Sequence, residues 1–526
     1  ITMAIGGMKM TKLAKILAAV VFFNLIGLAL SGMLELPNRS NIVQSAWTLA
    51  TVSFFMYPVV LLIFMFRLGQ KQSQADKGDA DPKAEKKKGG KMKKIAAKLK
   101  KIVVTLSQSD ASELWAVVRL KTGALPARAL PAPPGASAAL KDDVAFCDEI
   151  LGKVSRSFSA VIRQLPDELC LPVAVFYLVL RALDTVEDET DLSKFEPVAK
   201  QMASESKETS TVEPLEAQRS ILKAFYELHR EDAPQSIVGK LQAAVQGDVG
   251  KDDEARLLRE YSRVERVFLA LPAGQQAVIN DICNKMGNGM AEYLGRDLGA
   301  GTEDIADYNR YCHIVAGLVG EGLTRQFYAS GLESFTKEGT LGREVLDKGQ
   351  GTLASDMGLF LQKTNIIRDY LEDLVDGRSF WPRSVWEKHA PTLGTFASPE
   401  HSKDAIACLD DLVVDALKLA PRCLAYMETL ENEAVIAFCA VPQVMAIMTL
   451  AEIFRNHDVF TGVVKIRKPL AAKILLNSSD IGQVRDWFRT ACSQFRTKLQ
   501  KVSSTSDTHK AMSSALDAID TAMMPR

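Results

Sequence analysis

From Val144 onward, apolar residues recur at helical spacing almost without a break. No stretch alternates as a strand would, and no strand–helix–strand rhythm emerges. The spacing predicts helices near 144–165, 168–189, 213–231, 254–270, 274–297, 304–330, 343–375, 404–430, 433–456 and 480–503. Such a run predicts an all-α fold, one large helical domain around one core. The Ser-, Thr- and Glu-rich stretch 201–214 predicts an exposed loop.

Two apolar runs stand ahead of this body. Ile16–Leu34 is a nearly unbroken apolar run whose main interruption is Asn24, and Ala46–Phe66 contains Pro58. Each is long enough to span a bilayer as a helix. The first alone would pass for a signal peptide, but it lacks a clear small-x-small cleavage site and a second span follows closely. The expectation is a membrane anchor over residues 1–69, with two transmembrane helices at about 16–34 and 46–66. Lys9, Lys12 and Lys15 precede the first run; Arg67, Lys71 and the tract Lys83–Lys101 follow the second. Positive charge on both outer flanks puts both ends on the cytoplasmic side. The Asn38-Arg39-Ser40 acceptor pattern lies too close to both spans to carry a sugar. Residues 70–105 read as a solvated lysine-rich linker that would also attract anionic headgroups. Residues 124–139 read as a Pro/Ala-rich connector. The catalytic domain is expected over 106–502, and 503–526 as a polar tail that cannot span a membrane. The chain begins at Ile1, which leaves room for residues upstream.

Charge and cysteine usage narrow the chemistry. Sixty-four basic residues balance sixty-four acidic ones, so nothing favours nucleic acid as a partner. The eight cysteines form no C-x-x-C pair, which argues against a zinc site or a disulfide framework and fits a reducing compartment.

The candidate chemistry lies in two acidic turns. In MGLFLQKTNIIRDYLEDLVDGRSFWP (Met357–Pro382), Met357, Phe360, Leu361, Thr364, Ile367, Leu371 and Leu374 share one helix face. Gln362, Asn365, Asp369, Glu372, Asp373 and Asp376 form a second stripe. Asp369 and Asp373 are one turn apart, a like-charge pairing that costs an isolated helix roughly 0.2–0.5 kcal/mol. For a lone helix, the ordinary explanation is a solvated acidic face. The other turn changes the odds. Leu171–Leu183 is apolar all round, as a buried helix is, yet it carries Arg181 and runs straight into Asp184, Glu187 and Asp188. Buried charge is costly unless paired or bound to metal. The two D-x-x-E-D turns therefore suggest carboxylate clusters facing each other across a cavity. Open carboxylates are what Mg²⁺ takes when it also holds substrate phosphates.

Eight blocks carry a family resemblance: SRSFSAVIRQL (Ser155–Leu165), FYLVLRALDTVED (Phe176–Asp188), MGNGMAEYL (Met286–Leu294), YCHIVAGLVGEGLTRQF (Tyr311–Phe327), MGLFLQKTNIIRDYLED (Met357–Asp373), GRSFWP (Gly377–Pro382), FCAVPQVMAIMTLA (Phe438–Ala451) and VKIRKP (Val464–Pro469). In order and spacing they resemble the squalene synthases of the squalene/phytoene synthase family, over roughly Ser109–Lys501. The resemblance implies an isoprenoid-synthase-type helical domain with a central cavity. It implies head-to-head joining of two farnesyl diphosphates to presqualene diphosphate, then NADPH-dependent reduction to squalene, the first committed step of sterol biosynthesis. Mn²⁺ and NADH are the alternatives to Mg²⁺ and NADPH.

By the same resemblance, Asp184, Glu187 and Asp188 hold metal on one wall, and Asp369, Glu372 and Asp373 on the other. Ser155, Arg156, Arg181 and Arg368 grip diphosphate oxygens, the arginines through their planar forks of donors. Gln362 and Asn365 join the substrate-binding set, and Tyr311 is the proton-transfer group. A phenol with an ordinary pKa near 10 needs a neighbouring arginine or the released diphosphate to ionise. Phe158, Tyr177, Leu323, Phe438, Cys439 and Pro442 match pocket positions, although on sequence alone ordinary core packing is the better explanation of any one of them. His313 is expected to be structural. No Gly-rich dinucleotide fingerprint follows a strand; the resemblance assigns the cofactor's phosphates to Arg378, Lys465 and Arg467, whose ordinary alternative is surface charge.

The sequence departs from the family's pattern where the anchor sits, N-terminal here rather than C-terminal, and in the length of 192–213. The expected setting is the endoplasmic reticulum membrane, with a monomeric catalytic domain facing the cytosol. The nearest rival reading is a phytoene synthase-like enzyme, which takes a longer diphosphate and needs no reductant; VKIRKP, GRSFWP and FCAVPQ argue against it.

Overall fold

The computed structural model describes residues 109–125, 128–155, 158–205, 211–335, 345 and 347–524. The two N-terminal apolar runs, the lysine-rich tract and Arg156 lie outside the described residues. So do the boundaries expected at 69 and 105. All regular structure among the described residues is helical.

The described chain falls into two compact units. In the first, Ala111–Lys121 is a helix capped by Asp110, whose carboxylate accepts the Glu113 N–H at 2.7 Å. Arg467, from a distant segment of the same unit, pairs with Glu113 at 3.0 Å and donates to Ser109.

The second unit, Leu125–Ile466 with Ile474–Arg526, carries the helices that matter for chemistry. Two of them, Asp167–Glu187 and Glu433–Ile453, are long and apolar enough to cross a membrane by length and composition. They are buried over 83% and 72% of their most apolar windows, so here they form core.

Several expected helices are interrupted, and the breaks fall beside functional candidates. The 343–375 segment ends its helix at Arg368, and Asp369 caps it before a short helix, Tyr370–Val375. The 304–330 segment contains a π-turn at His313–Gly317, directly after Tyr311. The 144–165 segment breaks at Ser155, whose hydroxyl accepts the Ser159 N–H at 2.6 Å. Periodicity is insensitive to a single extra residue in a turn, so such breaks are hard to see in sequence.

The π-turn and the helix after it, Leu318–Ala329, pack on Leu353–Arg368 through glycines. A Cβ on Gly320 would overlap the Ala354 carbonyl oxygen, and one on Gly358 would overlap that of Ala316. Backbone meets backbone there, which brings Gln362 and Asn365 close under the helix that bears Tyr311. The polar stretch after 502 adds a helix, Asp507–Ala522, whose Met512, Leu516 and Ile519 are buried. It packs on Ser402–Leu417, Ala420–Glu428 and Ile481–Leu499.

Candidate active site

Two cavities lie in the second unit. The wider has a volume of about 280 Å³ and mostly apolar walls. Its lining includes Phe158, Tyr177, Leu323, Phe438, Cys439 and Pro442, six positions expected from sequence. It also includes Arg181 and Asp184 at the end of Asp167–Glu187, and Gln362 and Asn365 from the facing helix. The smaller, about 150 Å³, is an acid chamber lined by Asp188, Asp369, Asp373, Arg378, Tyr311 and Phe380, with Gln362, Asn365 and Ile366. Gln362 and Asn365 line both, so the two cavities meet at one shared wall.

The acids sit where a helix least welcomes them. Asp184, Glu187 and Asp188 occupy the C-terminal end of Asp167–Glu187, which has no basic residue in its last turn. Asp369 caps the C-terminus of Leu353–Arg368. Each helix end already carries about half a negative charge, so added carboxylates call for a cation. Burial, with Asp188 and Glu254 nearby, pushes Asp184 up to about 7 despite Arg181. Burial with Asp188 and Asp184 pushes Glu187 up to about 8. Burial, against the pull of Arg378 and with Asp369 adding to it, pushes Asp373 up to about 7. These carboxylates are only partly closed off from solvent; Asp184 lines the apolar cavity, Asp373 lines the acid chamber, and Glu187 lines neither.

The arginines divide their attention. Arg181 donates to the Tyr177 hydroxyl at 3.3 Å and lies 3.9 Å from both Asp184 and Glu254. It is thus held loosely. Arg378 donates to Asp188 at 2.9 Å, which ties the GRSFWP turn to the first acidic turn. Arg368 grips Asp369 with two donors, at 2.8 and 2.5 Å, and lines neither cavity.

Tyr311 is 6% exposed and stacks on Phe380, with ring centroids 4.3 Å apart and planes 12° from parallel. Tyr293 packs edge-on against its other side at 5.2 Å. Burial, Glu187 and Asp188 hold its proton on far above the usual phenol range; Arg378 pulls the other way.

Other expected residues fall elsewhere. Ser155 is buried, holds the Phe158–Ile162 turn through Ser159, and lines neither cavity. Glu372 is exposed and also lines neither. Lys465 is exposed outside both cavities, and Arg467 is engaged with Glu113 in the first unit. His313 bonds Ser355 at 2.8 Å. Sequence reasoning overlooked Phe380, although it stands two residues after Arg378 in GRSFWP; it also overlooked Gln443, the polar residue of FCAVPQ.

Comparison with known proteins gives this arrangement a class. Residues 151–469 match the family model for squalene/phytoene synthase. Squalene synthase 1 of Panax ginseng is 42% identical over 343 residues, 65% of this chain and 71% of that protein. Squalene synthase BSS of Botryococcus braunii is 41% identical over 346 residues, 65% of this chain and 66% of that protein. Squalene synthase 1 of Arabidopsis thaliana is 38% identical over 359 residues, 68% and 76% of the two chains. A solved complex of TcSQS with the ligand BPH1237 superposes with a TM-score of 0.60 at 35% identity, over 73% of this chain and 98% of the other. The chain belongs to the squalene/phytoene synthase family. It is an enzyme, a prenyl transferase of the squalene synthase type.

Proposed function

We propose that the chain joins two farnesyl diphosphates head to head in a Mg²⁺-dependent step, giving presqualene diphosphate, and then reduces this to squalene with NADPH. The observation that carries this reading is the shared wall: an apolar cavity and a chamber of carboxylates are both lined by Gln362 and Asn365. A prenyl chain needs the first and its diphosphate the second.

Among the described residues, no three His, Cys, Asp or Glu side chains close on one point. That suits an ion held by one or two carboxylates that completes its shell with diphosphate oxygens and water. The raised carboxyls of Asp184 and Glu187 at a helix C-terminus, and of Asp373 in the short helix that follows Asp369, fit such an ion. Asp184, Glu187 and Asp188 would hold it on one side, and Asp369 and Asp373 on the other. Bound there, it supplies the Lewis acidity that neutralises the departing diphosphate.

The chain's own groups do the rest. Arg181, weakly committed at 3.9 Å to each acid, turns to diphosphate oxygens. Phe158, Tyr177, Leu323 and Phe438 exclude water from the allylic cation, and Phe158, Tyr177 and Phe438 face it with aromatic surface. Tyr311 moves the proton, and Arg378 supports its anion. The reductant finds a less ready host. Arg378 is committed to Asp188 and Arg467 to Glu113, so two of the three basic residues expected on the cofactor's phosphates are already paired.

The apolar runs at about 16–34 and 46–66 support a membrane tether with both ends on the cytoplasmic side; the resemblance to squalene synthases adds the endoplasmic reticulum as the membrane and a monomeric catalytic domain. The test is product analysis with farnesyl diphosphate and Mg²⁺. Presqualene diphosphate should accumulate without NADPH, and squalene should form with it. Phytoene formed from geranylgeranyl diphosphate, with no product from farnesyl diphosphate, would favour the phytoene synthase-like alternative.

A further inference from the structure

Arg181 lines the wide cavity with most of its donors idle. Its Nη2 donates to the Tyr177 hydroxyl at 3.3 Å, while its Nε is buried with no hydrogen-bond partner. Its Nη1 lies 3.9 Å from an Asp184 oxygen and 3.9 Å from a Glu254 oxygen, too far to hydrogen-bond either. Asp184 stands one turn along the same helix, a spacing at which arginine and aspartate readily meet. Arg368 shows the ordinary outcome, closing on Asp369 with two donors at 2.8 and 2.5 Å. Arg181 does not close on Asp184, so something pulls it the other way.

Glu254 supplies that pull. It belongs to another helix, Asp252–Arg259, and lines neither cavity. That helix is fastened by other side chains. Arg256 pairs with Glu149 at 2.7 Å and with Glu260 at 2.8 Å, and Asp253 lies 3.6 Å from Lys153. The turn that enters it is fixed as well. Gly250 and Asp252 stand in left-handed backbone, at φ 87° and 48°. The Gly250 N–H donates to Glu189 at 3.3 Å, directly after the first acidic turn. A left-handed aspartate is costly, and this one opens the helix that sets Glu254 beside Arg181.

We infer that Glu254 is a positioning residue that holds Arg181 off Asp184, and so keeps Asp184 open to a metal ion and Arg181 open to diphosphate oxygens. The inference rests on the reading that the acidic turns hold Mg²⁺ against a diphosphate. With no charge at position 254, Arg181 closes on Asp184, and a metal must break that pair to bind. A carboxylate near the site also attracts a cation directly, so the experiment separates that attraction from an effect through Arg181.

The experiment measures Mn²⁺ binding to the full chain with farnesyl thiolodiphosphate, read from the free-ion electron paramagnetic resonance signal. Glu254→Gln keeps the shape and removes the charge. It should weaken Mn²⁺ binding about fivefold, the scale of one partly exposed ion pair, with helical circular dichroism unchanged. Glu254→Asp keeps the charge and should stay within about twofold of wild type, because Coulomb attraction falls slowly with distance. In an Arg181→Met background, Glu254→Gln should leave Mn²⁺ affinity unmoved, since no guanidinium remains to close on Asp184. The same loss in that background would mean direct attraction and overturns the inference. Unchanged affinity in Glu254→Gln alone, as a purely structural glutamate would give, overturns it too, and so does a loss in Glu254→Asp equal to that in Glu254→Gln. A metal-free crystal structure of Glu254→Gln should show Arg181 Nη1 about 3 Å from Asp184; a separation like that of wild type contradicts the inference. Failure of wild type to bind Mn²⁺ with the diphosphate would remove the metal reading itself, and this inference with it. Wild-type binding that Glu254→Gln does not alter removes the inference alone.

Discussion

The wide cavity and the acid chamber draw on the same two helices, Asp167–Glu187 and Leu353–Arg368, yet burial works in opposite directions in them. Along the wide cavity, apolar side chains gain from leaving water. At the helix ends, carboxylates lose by it, and burial drives Asp184 and Glu187 up to about 7 and about 8. Each helix thus changes character within one turn. The contrast teaches that the acids are not there to stabilise the fold. They are a standing demand for positive charge, beside a cavity that keeps water away.

Breaking the two acidic turns should have the largest effect. Asp184→Asn and Asp369→Asn should each lower turnover by at least about 10³-fold, by analogy with the loss of one strong electrostatic stabiliser. Helical circular dichroism should stay unchanged, and near-normal turnover would remove that residue from the site. Tyr311→Phe should cost about 10²–10⁴-fold in turnover without unfolding the chain. A wild-type rate would show the hydroxyl to be dispensable.

Next comes the seam that joins the two regions. Gly358→Ala has no space for its methyl, because the Ala316 carbonyl occupies that place. Overpacking of this kind should cost about 3 kcal/mol, read as a lower denaturation midpoint. A stability equal to wild type would mean the helices can part without harm.

The pH dependence sharpens the contrast further. Asp184, Glu187 and Asp373 have folded values above the ordinary carboxyl range, so the native chain keeps protons that the unfolded chain has released. Without metal, stability should therefore fall as pH rises from about 4 to about 8. Mg²⁺ replaces those protons, so its stabilising effect in thermal melts should be large near pH 8 and small near pH 5. An equal effect at both would place the binding elsewhere. The smallest effect is expected from Phe380→Leu, which removes the ring stacked on Tyr311. That stack is worth about 0.5–1.5 kcal/mol, so turnover should fall no more than about tenfold.

The fold class was legible because long apolar periodicity allows little but helices. The two acidic turns were legible because an all-apolar run ending in Asp184, Glu187 and Asp188 makes no sense on a surface. Partners were not. Adjacency alone offers Asp369 to Arg368 as an ion pair, but nothing in the spacing shows that Arg378 crosses to Asp188. The breaks at Ser155, His313 and Asp369 were hidden because the hydrophobic stripe carries on through them. The role of Phe380 was hidden because stacking on Tyr311 depends on how a turn folds back, not on any period.

The most direct measurement is anomalous diffraction from crystals grown with Mn²⁺ and farnesyl thiolodiphosphate. The expected map has metal between Asp184, Glu187 and Asp188 on one side and Asp369 and Asp373 on the other, bridged by the diphosphate, with the prenyl chain running past Gln362 and Asn365 into the wide cavity. Metal bound away from these carboxylates, or a chain lying outside that cavity, would contradict it.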